Sequence, residues 1–147
     1  MQPPHVLALE NLAATEALAA RCAALARPGD AILLEGPMGA GKSAFARAFL
    51  RAAAGNPDLE VPSPTFTLVQ PYDLPAGPAH HFDLWRLAGP EDLLELGWDE
   101  AREGIVLVEW PDRLGNLRPQ NALEITLTPG EDDHRTASLT GWDDRLP

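Results

Sequence analysis

The sequence predicts a single-domain α/β fold, with strands and helices in alternation and a β-hairpin among them. Apolar positions switch between helical and strand periods along the chain, so strands and helices alternate. A glycine-rich segment falls between a strand pattern and a helix pattern. The 147 residues, 45% of them hydrophobic, suffice for one core without disulfide or metal staples. No internal repeat or long linker divides residues 1–147.

Leu12, Thr15, Leu18, Ala19, Cys22, Leu25 and Ala26 recur at helical spacing after Asn11, a capping residue, and Pro28-Gly29 stops the pattern. Ala31 to Glu35 is a short apolar run bounded by Gly36-Pro37, the pattern of a buried strand. Helical spacing resumes from Lys42 to Ala54, with Phe45, Phe49 and Ala52 inward. The two prolines of Val61-Pro62-Ser63-Pro64-Thr65 remove backbone donors and hold an extended path, so an ordered loop is expected there. Thr65 to Tyr72 and His80 to Leu84 read as two strands whose Pro- and Gly-containing connection makes the hairpin. Pro90, Glu91 and Asp92 form a helix first turn that Leu93, Leu94 and Leu96 continue. Ile105 to Val108, ending in Glu109, is the continuous apolar run of a central strand. Leu123, Ile125 and Leu127 alternate with Glu124, Thr126 and Thr128, and a turn at Pro129-Gly130 leads to a short strand near Thr136 to Leu139.

Eleven basic residues against 22 acidic ones give a net charge of −11. That balance repels phosphate backbones and anionic membranes, and argues against a dedicated DNA- or RNA-binding module. The charge is uneven. Asp83 to Arg113 holds nine acidic and three basic residues, a solvated helix or a docking face, while Arg21 to Arg51 holds five basic and two acidic. The single cysteine, Cys22, reads as a buried structural thiol in a reducing compartment. No apolar run approaches the ~18 residues of a membrane span, and residues 1–5 lack a basic leader, so the expected location is the cytoplasm.

Gly36-Pro37-Met38-Gly39-Ala40-Gly41-Lys42-Ser43 satisfies G-x-x-x-x-G-K-S between a strand and a helix, the context of a P-loop NTPase fold. Glycines let the backbone curl so that N–H groups, here chiefly from Gly39 onward through Ala44, face phosphate oxygens at a helix N-terminus. Lys42 then reaches the β and γ oxygens and the Ser43 hydroxyl ligates Mg²⁺. Lys42 is also the only lysine beside ten arginines. A site that needs a compact ammonium explains that exception.

Such a metal needs an acidic partner at the end of a neighbouring strand, and Glu109 is placed for it. A glutamate there can ligate Mg²⁺, hold one of its waters, or orient the attacking water. Period-two alternation puts His81 and Asp83 on one strand face. Two side chains alone make a poor transition-metal site, so Asp83 is either a site carboxylate or a solvated strand residue. His5, His80 and His134 have no partner at ligand spacing. Trp85, Trp98 and Trp142 read as core or interface aromatics.

Gly39-Ala40-Gly41-Lys42-Ser43, Ser63-Pro64-Thr65-Phe66-Thr67-Leu68, His81-Phe82-Asp83-Leu84-Trp85-Arg86-Leu87 and Val108-Glu109-Trp110-Pro111 occur in this order. Together they resemble the TsaE (YjeE) family, ATPase components of bacterial tRNA threonylcarbamoyladenosine synthesis, from about Thr15 to Leu139. The resemblance implies a small P-loop NTPase fold with a mixed, mostly parallel central sheet flanked by helices, ATP and Mg²⁺ as ligands, the proteins TsaD and TsaB as partners, and tRNA reached only indirectly through that complex. It implies that Lys42 and Ser43 serve phosphate and Mg²⁺, that Glu109 serves Mg²⁺, and that Asp83 is the family's essential aspartate. By the same resemblance Thr65 falls in a switch-like loop, Thr15 lies near the adenine and Trp110 stands beside the site. Ser43 replaces a more common threonine, and Phe66 and Trp85 stand where tyrosine is frequent. Arg135 matches only loosely. Apart from the resemblance, an arginine finger is expected either from Arg86 or from a partner.

The residues themselves leave three activities open: a partner-dependent ATPase, a small-molecule P-loop kinase and a nucleotide-gated interaction module. The kinase would need an arginine-rich lid, and the arginines after the loop are scattered.

Overall fold

Four apolar residues in succession, Ala31 to Leu34, must be covered on both faces. In the computed structural model of the chain they lie in the middle strand of a seven-stranded sheet. The structure describes residues 4–64, 67–142, 144, 145 and 147. The elements run β1 (His5–Leu9), α1 (Leu12–Leu25), β2 (Ala31–Glu35), α2 (Lys42–Ala54), β3 (Val69–Leu74), β4 (Gly77–Asp83), α3 (Pro90–Glu95), α4 (Trp98–Ala101), β5 (Ile105–Glu109), a 3₁₀-helix (Pro111–Leu117), β6 (Leu123–Pro129) and β7 (Arg135–Thr140). Across the sheet the order is β1-β7-β6-β2-β5-β4-β3. The central β6, β2, β5 and β4 are parallel neighbours, and antiparallel pairs finish both edges. Only β3 and β7 run against the common direction, the mixed, mostly parallel sheet that the resemblance implies, with the hairpin that the sequence predicts.

Alternation along β2 divides the core. Ile32 and Leu34 pack with Leu18, Phe45 and Phe49 under α1 and α2. Ala31 and Leu33 pack on the other face with Leu93, Trp98 and Leu114, from α3, α4 and the 3₁₀-helix. Asn11 caps α1 as expected, its Oδ1 accepting from the Ala14 amide at 2.9 Å. Cys22 is fully buried in α1, and burial pushes its thiol up to about 12, the state of an inert structural thiol.

Several elements differ from the sequence reading. The strand β1 was not anticipated; it is an edge strand that pairs, among the described residues, with β7 alone, so no buried run marks it. Within α2 the inward face is Phe45, Ala46, Phe49 and Leu50, and Ala52 is exposed, because the helix turns its 45/49 stripe toward α1 rather than continuing to position 52. Leu12 and Leu94 are exposed instead of inward. Of the expected first hairpin strand, Thr65 and Phe66 lie outside the described residues, Thr67 and Leu68 form a turn, and the strand runs from Val69. The acidic stretch lies mostly on solvated surface, with Glu91, Glu95, Asp99, Glu100 and Glu103 exposed. No helix among the described residues is long and apolar enough to cross a membrane.

Candidate functional site

The loop between β2 and α2 lies at the carboxyl end of the parallel strands, where open α/β sheets place their ligand crevices. Glycine is required at Gly36: its φ is +148° and an added Cβ would sit 2.5 Å from the Leu127 carbonyl oxygen of β6. Gly41 enters α2 with φ +102°, a left-handed conformation that aims the next amides into the crevice. The first-turn amides of Lys42 and Ser43 have no intrahelical acceptor, which leaves them to a ligand.

A cavity of about 350 Å³ opens there, walled by Gly39, Gly41, Lys42, Ser43 and Ala44 on the loop side and by Asp83, Glu109 and Trp110 on the sheet side. A neighbouring cavity of about 330 Å³ contains Thr15 and Arg135 and shares Gly41 and Ala44 with the first. Two sequence-predicted residues stand back from these walls. The Gly36 carbonyl accepts from Lys42 Nζ, and the Ala40 amide is turned to the Pro37 carbonyl at 3.1 Å, closing the loop on itself. Thr65 lies outside the described residues.

Lys42 is 5% exposed. Its ammonium sits 3.3 Å from the centroid of the Trp110 ring, a cation–π contact. Burial pushes its pKa down, and the carboxylates of Glu109, Asp83 and Asp112 oppose that shift. Trp110 reaches this place because it adopts a left-handed conformation, φ 59° and ψ 55°, which turns the chain sharply after β5. Such a conformation is costly for a bulky residue and persists only where the surrounding structure holds it.

The two carboxylates come together by register. Asp83 pairs with Glu109 across the parallel β4–β5 ladder, so both stand at the same level of the same sheet face. At 6% and 2% exposure, neither is a solvated strand-end residue. Glu109 Oε1 accepts from the Ser43 hydroxyl at 3.1 Å, and its Oε2 lies 2.7 Å from His81 Nε2. Asp83 Oδ1 accepts from the Trp85 amide at 3.2 Å. Hard oxygen donors from Ser43 and Glu109 therefore face one point beside the loop, a donor set suited to Mg²⁺ completed by phosphate oxygens.

Three features escaped the sequence reading. The contact of His81 with Glu109 depends on the β4–β5 register. Trp85, expected in the core or an interface, is 43% exposed at the cavity wall, its ring 4.5 Å from that of Trp110. Arg135, only loosely matched in sequence, braces the loop from β7, its Nε donating to the Ala40 carbonyl at 3.2 Å and its Nη2 to the Gly39 carbonyl at 3.3 Å.

Residues 9–137 match the family model of the threonylcarbamoyl adenosine biosynthesis protein TsaE. The chain belongs to the TsaE family. It is 36% identical to the tRNA threonylcarbamoyladenosine biosynthesis protein TsaE of Rickettsia bellii over 127 residues, 86% of this chain and 88% of that one. It is likewise 36% identical to TsaE of Bacillus subtilis over 133 residues, 89% of this chain and 82% of that one. The crystal structure of Bacillus subtilis YdiB superposes with a TM-score of 0.78 at 31% identity, covering 99% of this chain and 90% of YdiB. The family places the protein in tRNA threonylcarbamoyladenosine biosynthesis, and the TsaE resemblance read from the motifs is borne out over nearly their whole span.

Proposed function

We propose that this TsaE-family chain binds and hydrolyses Mg-ATP as the ATPase component of the tRNA threonylcarbamoyladenosine machinery, acting in the cytoplasm with the TsaD–TsaB transferase to support its turnover. The observation that carries the reading is the meeting of Lys42 and Ser43 with the buried pair Asp83 and Glu109 at one cavity.

In this reading the amides of the first turn of α2 receive the phosphates, and Lys42 exchanges the Gly36 carbonyl for the β and γ oxygens. The neighbouring cavity with Thr15 takes the nucleoside end. Ser43 and Glu109 would hold Mg²⁺, which when bound supplies charge neutralisation at the β and γ oxygens. Ser43 gives up its hydrogen bond to Glu109 to do so. Asp83, fixed by the Trp85 amide, orients the attacking water together with the remaining Glu109 oxygen. Lys42 and the α2 amides stabilise the charge that moves onto the leaving oxygen.

With net charge −11 the isolated chain should bind tRNA poorly and reach it through its partners. The deciding measurement is the Mg²⁺-dependent ATP hydrolysis rate of the purified chain, alone and with TsaD and TsaB. A rate near zero alone that rises sharply with both partners is expected. An unchanged rate would remove partner dependence, and tight, salt-sensitive tRNA binding by the chain alone would remove the indirect route to tRNA.

A further inference from the structure

The Mg-ATP site leaves one buried polar side chain beside it without a role, His81. It pairs with Leu107 across the β4–β5 ladder, two residues before the Asp83–Glu109 pair, so its ring reaches Glu109 diagonally on the same sheet face. The side chain is 2% exposed, with Nε2 2.7 Å from Glu109 Oε2. Its Nδ1 is buried and has no hydrogen-bond partner among the described residues.

Those contacts select a tautomer. With the proton on Nε2, the ring donates to the carboxylate and buries a bare lone pair at Nδ1. With the proton on Nδ1, a lone pair would face the carboxylate and an unpaired N–H would be buried, which is far more costly. His81 Nε2–H therefore donates to Glu109.

A glutamate has one more rotatable bond than an aspartate, so a carboxylate at the end of β5 needs two anchors to present one oxygen in a fixed direction. Ser43 anchors Oε1, but its hydroxyl is the group that turns to the cation. The anchor that stays is His81. We propose that His81 is the positioning residue of Glu109, holding Oε2 through Nε2–H so that Oε1 faces the cation position beside Ser43. The role rests on the Mg-ATP reading of the site.

The test follows the Mg²⁺ dependence of binding of a fluorescent ATP analogue to the full chain. His81→Met removes the donor and His81→Gln keeps an N–H. The Met variant should need about tenfold or more Mg²⁺ for its half-maximal effect, with unchanged nucleotide affinity in chelator, and the Gln variant should recover most of the loss. In a Glu109→Gln background, His81→Met should add no further shift. Equal Mg²⁺ dependence in wild type and His81→Met overturns the proposal. Should the Met variant fail to fold, ¹⁵N spectra of the wild-type imidazoles decide: Nε2 protonated supports the pairing, and Nε2 bare overturns it. A wild-type chain that binds the analogue without regard to Mg²⁺ overturns the site reading itself, and this outcome is separate from the nitrogen spectra.

Discussion

The two ends of β2 both carry charge drawn away from solvent, half-buried at the first and buried at the last, and they treat it in opposite ways. Before its first residue, Asp30 is fully engaged: Arg145 Nη1 and Nη2 donate to its two oxygens at 2.7 and 2.9 Å, and the Arg27 amide donates at 2.7 Å. Arg145 also donates to the Leu25 carbonyl at 2.9 Å and lies 4.3 Å from the Trp142 ring centroid, which pins the C-terminal segment to the end of α1. After the last residue of β2, Lys42 rests on one carbonyl and an indole face, and Ser43 shares a single hydrogen bond with Glu109. A bidentate guanidinium–carboxylate pair closes a fold because nothing else competes for it. A lysine on a carbonyl is a temporary arrangement that an incoming phosphate can outbid.

The sharpest way to break this contrast is Lys42→Ala. ATP affinity should fall on the order of a hundredfold or more, the loss expected when a charge partner is removed from a desolvated phosphate site. The melting temperature should stay close to that of the wild type, because burial already disfavours the ammonium. A large drop in stability with ATP binding retained would make Lys42 a structural residue and the contrast false.

The carboxylates on the sheet side are next. Glu109→Ala and Asp83→Ala should each lower partner-stimulated hydrolysis about a hundredfold while leaving measurable ATP binding. Glu109→Ala should in addition weaken the Mg²⁺ dependence of binding, because it is Glu109 that shares the hydrogen bond with Ser43, whereas Asp83 accepts from the Trp85 amide. Full turnover by both variants in the presence of partners would remove the acidic residues from the mechanism.

That division of labour shows which parts of the site a sequence exposes. The loop is legible because its chemistry is local: glycines, Lys42 and Ser43 are contiguous, and the strand and helix that flank them have strong periods of their own. Glu109 is legible as a candidate because it ends an apolar strand, and Asp83 because period-two alternation sets it on one strand face with His81. Their meeting is not, since it depends on β4 choosing β5 as a parallel neighbour in one register. The same register hides His81, and the left-handed turn that brings Trp110 over Lys42 leaves no mark in residue type. The edges of the fold are equally obscure. β1 is exposed over most of its length and is defined by β7 alone, while the face of α2 depends on how α1 lies against it.

At the closed end of β2 smaller effects are expected, on stability alone. Arg145→Ala leaves the Asp30 carboxylate with the Arg27 amide and the charges of the Arg27 and Arg102 guanidinium groups, which should cost roughly 1–3 kcal/mol. For a chain of this length that is a fall of several degrees in melting temperature. Partner-stimulated ATP hydrolysis measured well below the new transition should be unchanged. A loss of hydrolysis in the folded variant would mean that the two ends of β2 communicate.

The pH dependence of that pair gives the finest test. Burial pushes the Asp30 carboxyl up, but the Arg145 hydrogen bonds, the Arg27 amide and the two nearby guanidinium charges together hold it below the usual aspartate value of 3.8. A carboxyl whose folded pKa is depressed contributes stability that is fully present above the unfolded value and is lost as pH falls through the folded one. Asp30→Asn has no such titration. The gap in melting temperature between wild type and Asp30→Asn should therefore be constant from neutral pH down to about pH 5, and close progressively below about pH 4. A gap that widened on acidification would mean that desolvation outweighs the arginine, and that the closed end of β2 holds its charge no more firmly than the open one.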